Sequence, residues 1–558
     1  FLAEHGDLPQ ISWMKLRWLR MLAERGDWKP FLAHYDPAMN FTELDCLYGQ
    51  YQMTHGQVAE GNATAEKLWL VGKSQPNACD PLFERWTANG QLTESRRWQR
   101  TKLAVEAGNY GLANYLVKSL STLGTHGKLL LEVAQKPQTL KQTARFAPAD
   151  EAMGDVVGLG LRRLARQSPE DALPLLDSYA QRMKFSDQEK VAIARQIGLT
   201  LAKRFDMRGL QVMAKYDPEL RDNSVSEWRA RLLLRNARWD EAYQLTQRMP
   251  AELASSNRWR YWNARSLQLA QPNSQQPAVL FQALAKERDF YGFMAADQVK
   301  APYQLNNQPL HIDPKVIQKV RNTAGIRRAM EFHALGQIVD GRREWYHVSR
   351  LFSRDELVAQ ARLAYDMEWY FPAIRTISQA QYWDDLEVRF PMAHRDDLVR
   401  EARRRDIHSS WVFAITRQES AFMADARSHA GAMGLMQLMP ETAREVAAEL
   451  GLPFSEARLT SDADYNRRLG SAYLDKMLQR YDGHQALALA AYNAGPGRVD
   501  EWLKVNGDPR SGEISTGAWI ERIPYQETRD YTRRILGDLA SREAPLQEAA
   551  QQTSLSAQ

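Results

Sequence analysis

From its start to about residue 300 the chain repeats one pattern. Apolar side chains recur at helical spacing, and Gly or Pro punctuates the periodic stretches. No segment there sustains the apolar–polar alternation of a half-buried strand. This constrains the fold more than any other feature and predicts an all-α chain. A degenerate repeat runs through it. Trp228-Arg229-Ala230-Arg231-Leu232-Leu233 and Trp262-Asn263-Ala264-Arg265-Ser266-Leu267 share a W-x-A-R-x-L pattern, 34 residues apart. That period belongs to paired-helix repeats. A turn also recurs, at Gly26-Asp27-Trp28, Gly108-Asn109-Tyr110 and Ala237-Arg238-Trp239. In each, a helix ends and an aromatic residue opens the next. Single units of this kind cannot bury their faces alone, so they stack into a superhelix. Several of the 16 tryptophans stand at these positions, which favours packing between helices over sugar stacking.

At 558 residues the chain exceeds one core, and the length suggests about three or four domains. The net charge of +5 is small for this size. The tightest basic cluster, Arg403-Arg404-Arg405, is flanked by Glu401 and Asp406 and reads as a solvated helix face, so nucleic acid is not an expected partner. No CxxC, Cys/His cluster or HExxH occurs, which argues against a metal site, and nothing in the sequence asks for a cofactor. The two cysteines, Cys46 and Cys79, permit one disulfide or two buried thiols. There is no run of eighteen apolar residues, so no transmembrane helix is expected. The chain opens at Phe1 without a signal sequence and reads as mature or trimmed.

Breaks divide the chain into blocks. Pro302, Asn306, Asn307, Pro309 and Pro314 interrupt the first pattern. A smaller helical block follows, with expected helices at Ile326–Leu335, Glu344–Phe352, Arg354–Asp366 and Trp369–Gln379. Phe390-Pro391 begins a third block. The expected domains are therefore 1–310, 311–390 and 391–540. A tail at 541–558, rich in Gln, Ser, Ala and Glu, is expected to be disordered.

The third block holds the chemistry. In Trp411-Val412-Phe413-Ala414-Ile415-Thr416-Arg417-Gln418-Glu419-Ser420-Ala421-Phe422, residues Trp411, Ile415, Glu419 and Phe422 share one helical face. A carboxylate on that apolar stripe should have its pKa raised by desolvation and could then serve as a general acid. The alternative is a core glutamate paired with an arginine. Four motifs follow. A Gly-rich loop runs from Ser428 to Thr442 and contains Gly434-Leu435-Met436-Gln437-Leu438-Met439-Pro440. Asp462, Asp464 and Asn466 resemble an EF-hand start, but Arg467 occupies the glycine position and Tyr473 that of the final Glu, so an acid-rich helix N-terminus is the better reading. Ala491-Tyr492-Asn493-Ala494-Gly495-Pro496-Gly497-Arg498 ends a helix of small residues. Ile523-Pro524-Tyr525-Gln526-Glu527-Thr528-Arg529-Asp530-Tyr531 leads into a last helix.

Glu419-Ser420, the Gly-Leu-Met-Gln-Leu-Met-Pro loop, Ala-Tyr-Asn-Ala-Gly-Pro-Gly-Arg and Ile-Pro-Tyr-x-Glu-Thr-Arg-x-Tyr together resemble, in order, the motifs of the soluble lytic transglycosylases. Leu68 to Cys79 and Arg288-Asp289-Phe290-Tyr291-Gly292-Phe293 resemble the helical-ring part of the large members. The resemblance implies a ring-shaped superhelix, a helical linker domain and a lysozyme-like catalytic domain. It implies cleavage of the β-1,4 bond between N-acetylmuramic acid and N-acetylglucosamine in peptidoglycan without water, leaving a 1,6-anhydromuramyl end. It makes Glu419 the single acid-then-base, and it lines the cleft with Ser428, Gln437, Met439, Tyr492, Asn493, Glu521 and Tyr525. Glu521 is expected to position substrate, and Glu527 to be structural. The implied partners are peptidoglycan glycan strands, with proteins of cell-wall synthesis or remodelling left open. The implied compartment is the periplasm, where a Cys46–Cys79 disulfide is chemically reasonable. A hydrolytic muramidase on the same fold and a noncatalytic scaffold are the competing readings.

Overall fold

The helical periodicity is realised throughout a computed structural model, which describes the backbone of residues 6–555 and the side chains of residues 6–541. The described residues form helices and two isolated bridges, with no strand among them. Each recurring turn places one residue in the left-handed region: Gly26 at φ 73°, Gly108 at 74° and Ala237 at 53°. The next helix then opens on the aromatic, at Trp28, Tyr110 and Trp239. Trp228 and Trp262 are buried within their helices, beside the fully buried Ala230 and Ala264. The repeated W-x-A is therefore a helix-packing signature, as expected.

The chain divides into two units, residues 1–232 and 233–558. In the first, sequential helices pack in pairs: Thr42–Thr54 on Val58–Trp69, Glu94–Glu106 on Tyr110–Lys118, and Gly124–Gln135 on Glu151–Gln167. One apolar core runs through it from Cys46 to Leu232. Cys46 and Cys79 are fully buried there and joined in a disulfide, with Cα atoms 4.9 Å apart.

In the second unit, residues 301–313 have no regular structure. They are pinned by the Gln308 amide on the Asp384 carbonyl at 2.7 Å and the Leu310 amide on Asp385 Oδ2 at 2.9 Å. The helix Pro314–Asn322 comes next, and then Ala324–Ala334, Ile338–Ser349, Arg354–Asp366 and Tyr370–Gln379; the first, third and fourth of these four keep close to the expected bounds, whereas the second starts at Ile338 rather than at the expected Glu344. They share a core around Trp345 and Ala359. The last helix runs Gln526–Leu555, so the described backbone stays helical beyond residue 540. The tail expected to be disordered falls mostly on residues whose side chains, or whose whole placement at 556–558, lie outside the described set. No helix among the described residues is long and apolar enough to cross a membrane.

The disulfide closes a loop with a sequence separation of 33 residues. Such a loop restricts the unfolded chain by about 3 kcal/mol. Adding reductant should therefore lower the urea midpoint of the first unit by about that much stability. A Cys46→Ala/Cys79→Ala variant should start at the lower midpoint and ignore the reductant.

Candidate active site

The glutamate helix spans Ser409–Ser420, with Trp411, Val412, Phe413, Ala414 and Ile415 all buried. It ends earlier than its apolar stripe suggests. Ala421 and Phe422 both adopt positive φ, 48° and 67°. Phe422 therefore leaves the helical face, although it stays buried in the same core as Trp411 and Ile415. Glu419 stands in the last turn, partly exposed, where that core opens.

Among the described residues, its carboxyl meets one donor. Tyr531 of the last helix gives its Oη proton to Glu419 Oε1 at 2.7 Å. Burial pushes the carboxyl pKa up to about 7; the Tyr531 hydrogen bond works against this, and the charge of Glu527 adds to it. Burial dominates because the ionised form loses water on most sides and regains a single hydrogen bond. Tyr492 and Tyr531 are themselves held far above the ordinary phenol range by burial and by Glu419. Both therefore stay protonated beside it. Glu419 is not the arginine-paired core glutamate of the alternative reading. Its neighbour Arg417 instead pairs with Asp538 at 3.1 Å and stacks on Phe390.

The Gly-rich loop is held rigidly beside Glu419. Ser420 Oγ donates to the Leu435 carbonyl at 2.7 Å, and Tyr492 Oη donates to the Met436 carbonyl at 2.9 Å. Asn466 is fully buried. Its Oδ1 accepts from the Met436 amide at 2.9 Å, and its Nδ2 donates to the Met433 and Leu459 carbonyls at 3.0 Å each. Gly434, at φ 80°, lies against this anchor. A Cβ there would stand 2.0 Å from the Leu459 carbonyl oxygen. Gln437 donates Nε2 to the Gly434 carbonyl at 2.8 Å and to that of Ala426 at 3.3 Å.

Several expected cleft residues thus have other work. Tyr492 is buried, with its hydroxyl proton committed to the loop, so it does not reach out to a sugar. Glu521 is the larger correction. It is buried, accepts from Tyr291 Oη, and lies 3.5 Å from Arg258, which also pairs with Asp530 at 3.0 Å. Glu521 therefore ties the helices Asn257–Ala270 and Phe290–Val299 to Thr516–Glu521. Ser428 is exposed and its Oγ accepts from the Ala432 amide at 2.9 Å. Asn493 accepts from Thr528 Oγ at 2.7 Å. Met439 and Tyr525 are exposed, Tyr525 with its ring edge-on to Trp502. Glu527 is exposed on the first turn of the last helix, one helical turn before Tyr531, and its charge reaches Glu419. Asp462 caps the helix Ala463–Arg480 through the Tyr465 amide at 3.0 Å, as the acid-rich N-terminus reading requires.

Two residues escaped the sequence reading. Tyr531 was legible only as the last residue of the motif that opens at Ile523, and Asn466 only as a false calcium ligand. A signal for Asn466 did exist, since an asparagine at the fourth position of a helix otherwise facing a core needs a polar partner there.

Comparison with known proteins places these features. The description "Transglycosylase SLT domain" matches residues 398–514, and "Soluble lytic murein transglycosylase L domain" matches 319–386. A cucumovirus coat protein description also matches residues 40–139, a stretch that is helical here. The soluble lytic murein transglycosylase of Escherichia coli K12 is 31% identical over 542 residues, covering 96% of this chain and 82% of that protein. A solved structure of the lytic transglycosylase Slt from Pseudomonas aeruginosa, an inactive Glu-to-Gln mutant, is 62% identical with TM-score 0.92, covering 98% of this chain and 88% of the other. The 70 kDa soluble lytic transglycosylase of Escherichia coli superposes with TM-score 0.81 at 29% identity, over 98% of this chain and 88% of that one.

Two measurements check this geometry. Gly434→Ala combines a positive φ with a backbone clash and should destabilise the protein by about 2 kcal/mol or more, read from urea unfolding. Glu419 titrates higher when folded than when unfolded, so its contribution to stability is present at low pH and is lost as pH rises from the unfolded value towards about 7. Glu419→Gln removes this penalty. The variant should match the parent in stability near pH 4 and exceed it at pH 8 by on the order of 3 kcal/mol.

Proposed function

We propose that this chain, which belongs to the soluble lytic murein transglycosylase family, uses Glu419 as its one acid–base group and releases glycan carrying a 1,6-anhydromuramyl end. The chain is a murein-cleaving lytic transglycosylase by that membership; the product and the residue roles are the proposal. The observation that carries it is a carboxyl that holds its proton near neutral pH and is oriented by a single phenol.

The Glu419 proton moves to the glycosidic oxygen as the bond from the muramyl C1 breaks. Tyr531 Oη then stabilises the carboxylate that remains. The carboxylate takes the proton of the muramyl 6-hydroxyl as O6 closes on C1, which returns Glu419 to its acid form. No water is consumed. Most glycosidases set two carboxylates across the bond. Here Glu527 is felt by Glu419 but sits exposed on another helix. The inactive Glu-to-Gln mutant of the Pseudomonas aeruginosa relative is consistent with a single essential glutamate.

In this reading the exposed Met439 and Tyr525 meet the sugars, Asn493 and Ser428 offer polar contacts, and Gln437 holds the loop through Nε2 while its Oε1 accepts from a sugar hydroxyl. Residues 1–310 form the helical superhelix, 311–390 the linker and 391–540 the lysozyme-like catalytic domain; the two matched regions support the last two. The disulfide and a wall substrate favour the periplasm. Glycan strands are the partner, and proteins that build or remodel the same wall are the partner class the reading names.

Mass analysis of digested murein decides between lyase and muramidase. The expected ends are lighter by one water than reducing ends, and finding reducing ends alone would overturn the proposal. Activity should fall as pH rises through about 7, where Glu419 loses its proton. Glu419→Gln should lower the rate by about 10²–10⁴-fold. Tyr531→Phe removes the hydrogen bond that holds the pKa down, so the alkaline limb of its pH profile should move to higher pH.

A further inference from the structure

The first unit holds a cavity of about 670 Å³, a volume typical of small-ligand sites. One face of the helix Glu151–Gln167 forms its floor, carrying Glu151, Asp155, Arg162, Arg163 and Arg166 in chain order. The charge is therefore polar along the cavity, with acids towards the start of this helix and guanidinium groups towards its end.

The middle of the floor is neutralised. Lys102 pairs with Asp155 at 2.6 Å, and Arg162 binds both Glu189 at 2.9 Å and Glu106 at 3.1 Å. Glu189 comes so close only because residue 158 is glycine; a Cβ there would stand 2.2 Å from its Oε1. The two ends are not neutralised. Arg163 donates to the Val105 carbonyl at 3.1 Å, which leaves its charge unpaired. Arg166 is largely exposed but has no hydrogen-bond or ion-pair partner among the described residues, and the partial desolvation of its head together with Arg163 and Arg162 disfavours its charge. Three guanidinium groups share two carboxylates, so an anion at Arg163 and Arg166 would relieve a standing repulsion. At the other end, Glu151 likewise has no partner among the described residues.

We propose that this cavity binds a short zwitterionic peptide, its terminal carboxylate held by Arg163 and Arg166 and its amino group by Glu151. The helical rise puts Glu151 and Arg163 about 18 Å apart along the floor. Side chains on one helix lean the same way, towards its N-terminus, so the two heads keep about that separation, of which a hydrogen bond at each end takes about 3 Å. An extended peptide of about four residues, at about 3.4 Å each, fills the remaining gap. Planar guanidinium groups suit a carboxylate because they can bind it through two parallel hydrogen bonds. The site shares no residue with that of Glu419 and does not depend on the reaction assigned there.

Calorimetric titration of the full chain tests this with tetra-alanine, its C-terminal amide and its N-acetyl form. The free peptide should bind, with each blocked form weaker by about tenfold, the loss expected for one charge-assisted hydrogen bond. Arg166→Gln should weaken the free peptide about tenfold and bind the amide as the parent does. Arg166 is exposed, so this variant should keep the parent's melting temperature and its murein-cleaving rate. Glu419→Gln should bind the peptide unchanged even though its murein-cleaving rate falls steeply, which separates this proposal from the catalytic one. No heat with free tetra-alanine, or equal affinity for the amide or acetyl form, would overturn it.

Discussion

The second unit depends on keeping one carboxyl away from water. Glu419 sits at the edge of a core built from Trp411, Val412, Ile415 and Ile535, and among the described residues it receives one hydrogen bond. An ionised carboxylate in that place would lack several solvating partners, so the proton stays on until the pH approaches about 7. The same burial that makes the group costly makes it an acid at neutral pH. This is the usual compromise of an active site, in which local stability is given up for a reactive protonation state.

Around that carboxyl, the polar groups serve rigidity more than recognition. Ser420, Tyr492, Asn466 and Gln437 all spend hydrogen bonds on the backbone of residues 426–436. A loop fastened from three helices cannot drift, and a sugar held against it meets Glu419 in one geometry. Catalysis by a single acid–base group demands such positioning, because no second side chain corrects a misplaced substrate. Glu521 acts further out in the same way. Its cluster with Tyr291 and Arg258 fixes the helix that precedes the Ile-Pro-Tyr turn.

Much of this was legible in the residues. The all-α fold, the turn-and-aromatic repeat and the ends of Arg354–Asp366 follow from local propensity and periodicity, which a sequence displays directly. So does the odd position of Glu419 on an apolar stripe. Partner identity was harder to read. Tyr492 and Glu521 look like cleft residues because they lie in or beside motifs, yet one hydroxyl points to Met436 and the other side chain to Arg258. Phe422 fits the helical stripe by spacing, but Ala421 turns left-handed one residue before it. No local rule at an alanine forecasts that conformation.

By itself, the sequence determined where helices form, which faces are apolar, and which carboxylate stands out of place on one of them. These are properties of neighbours three or four residues apart. Only the tertiary structure decided what Glu419 meets, because Tyr531 lies 112 residues away and reaches it through helix packing. It likewise decided that Asn466 holds the Gly-rich loop and that Arg163 and Arg166 share a cavity without a carboxylate to balance them. A pKa and a hydrogen-bond partner are set by everything within a few ångströms, and folding brings that surrounding together from distant parts of the chain.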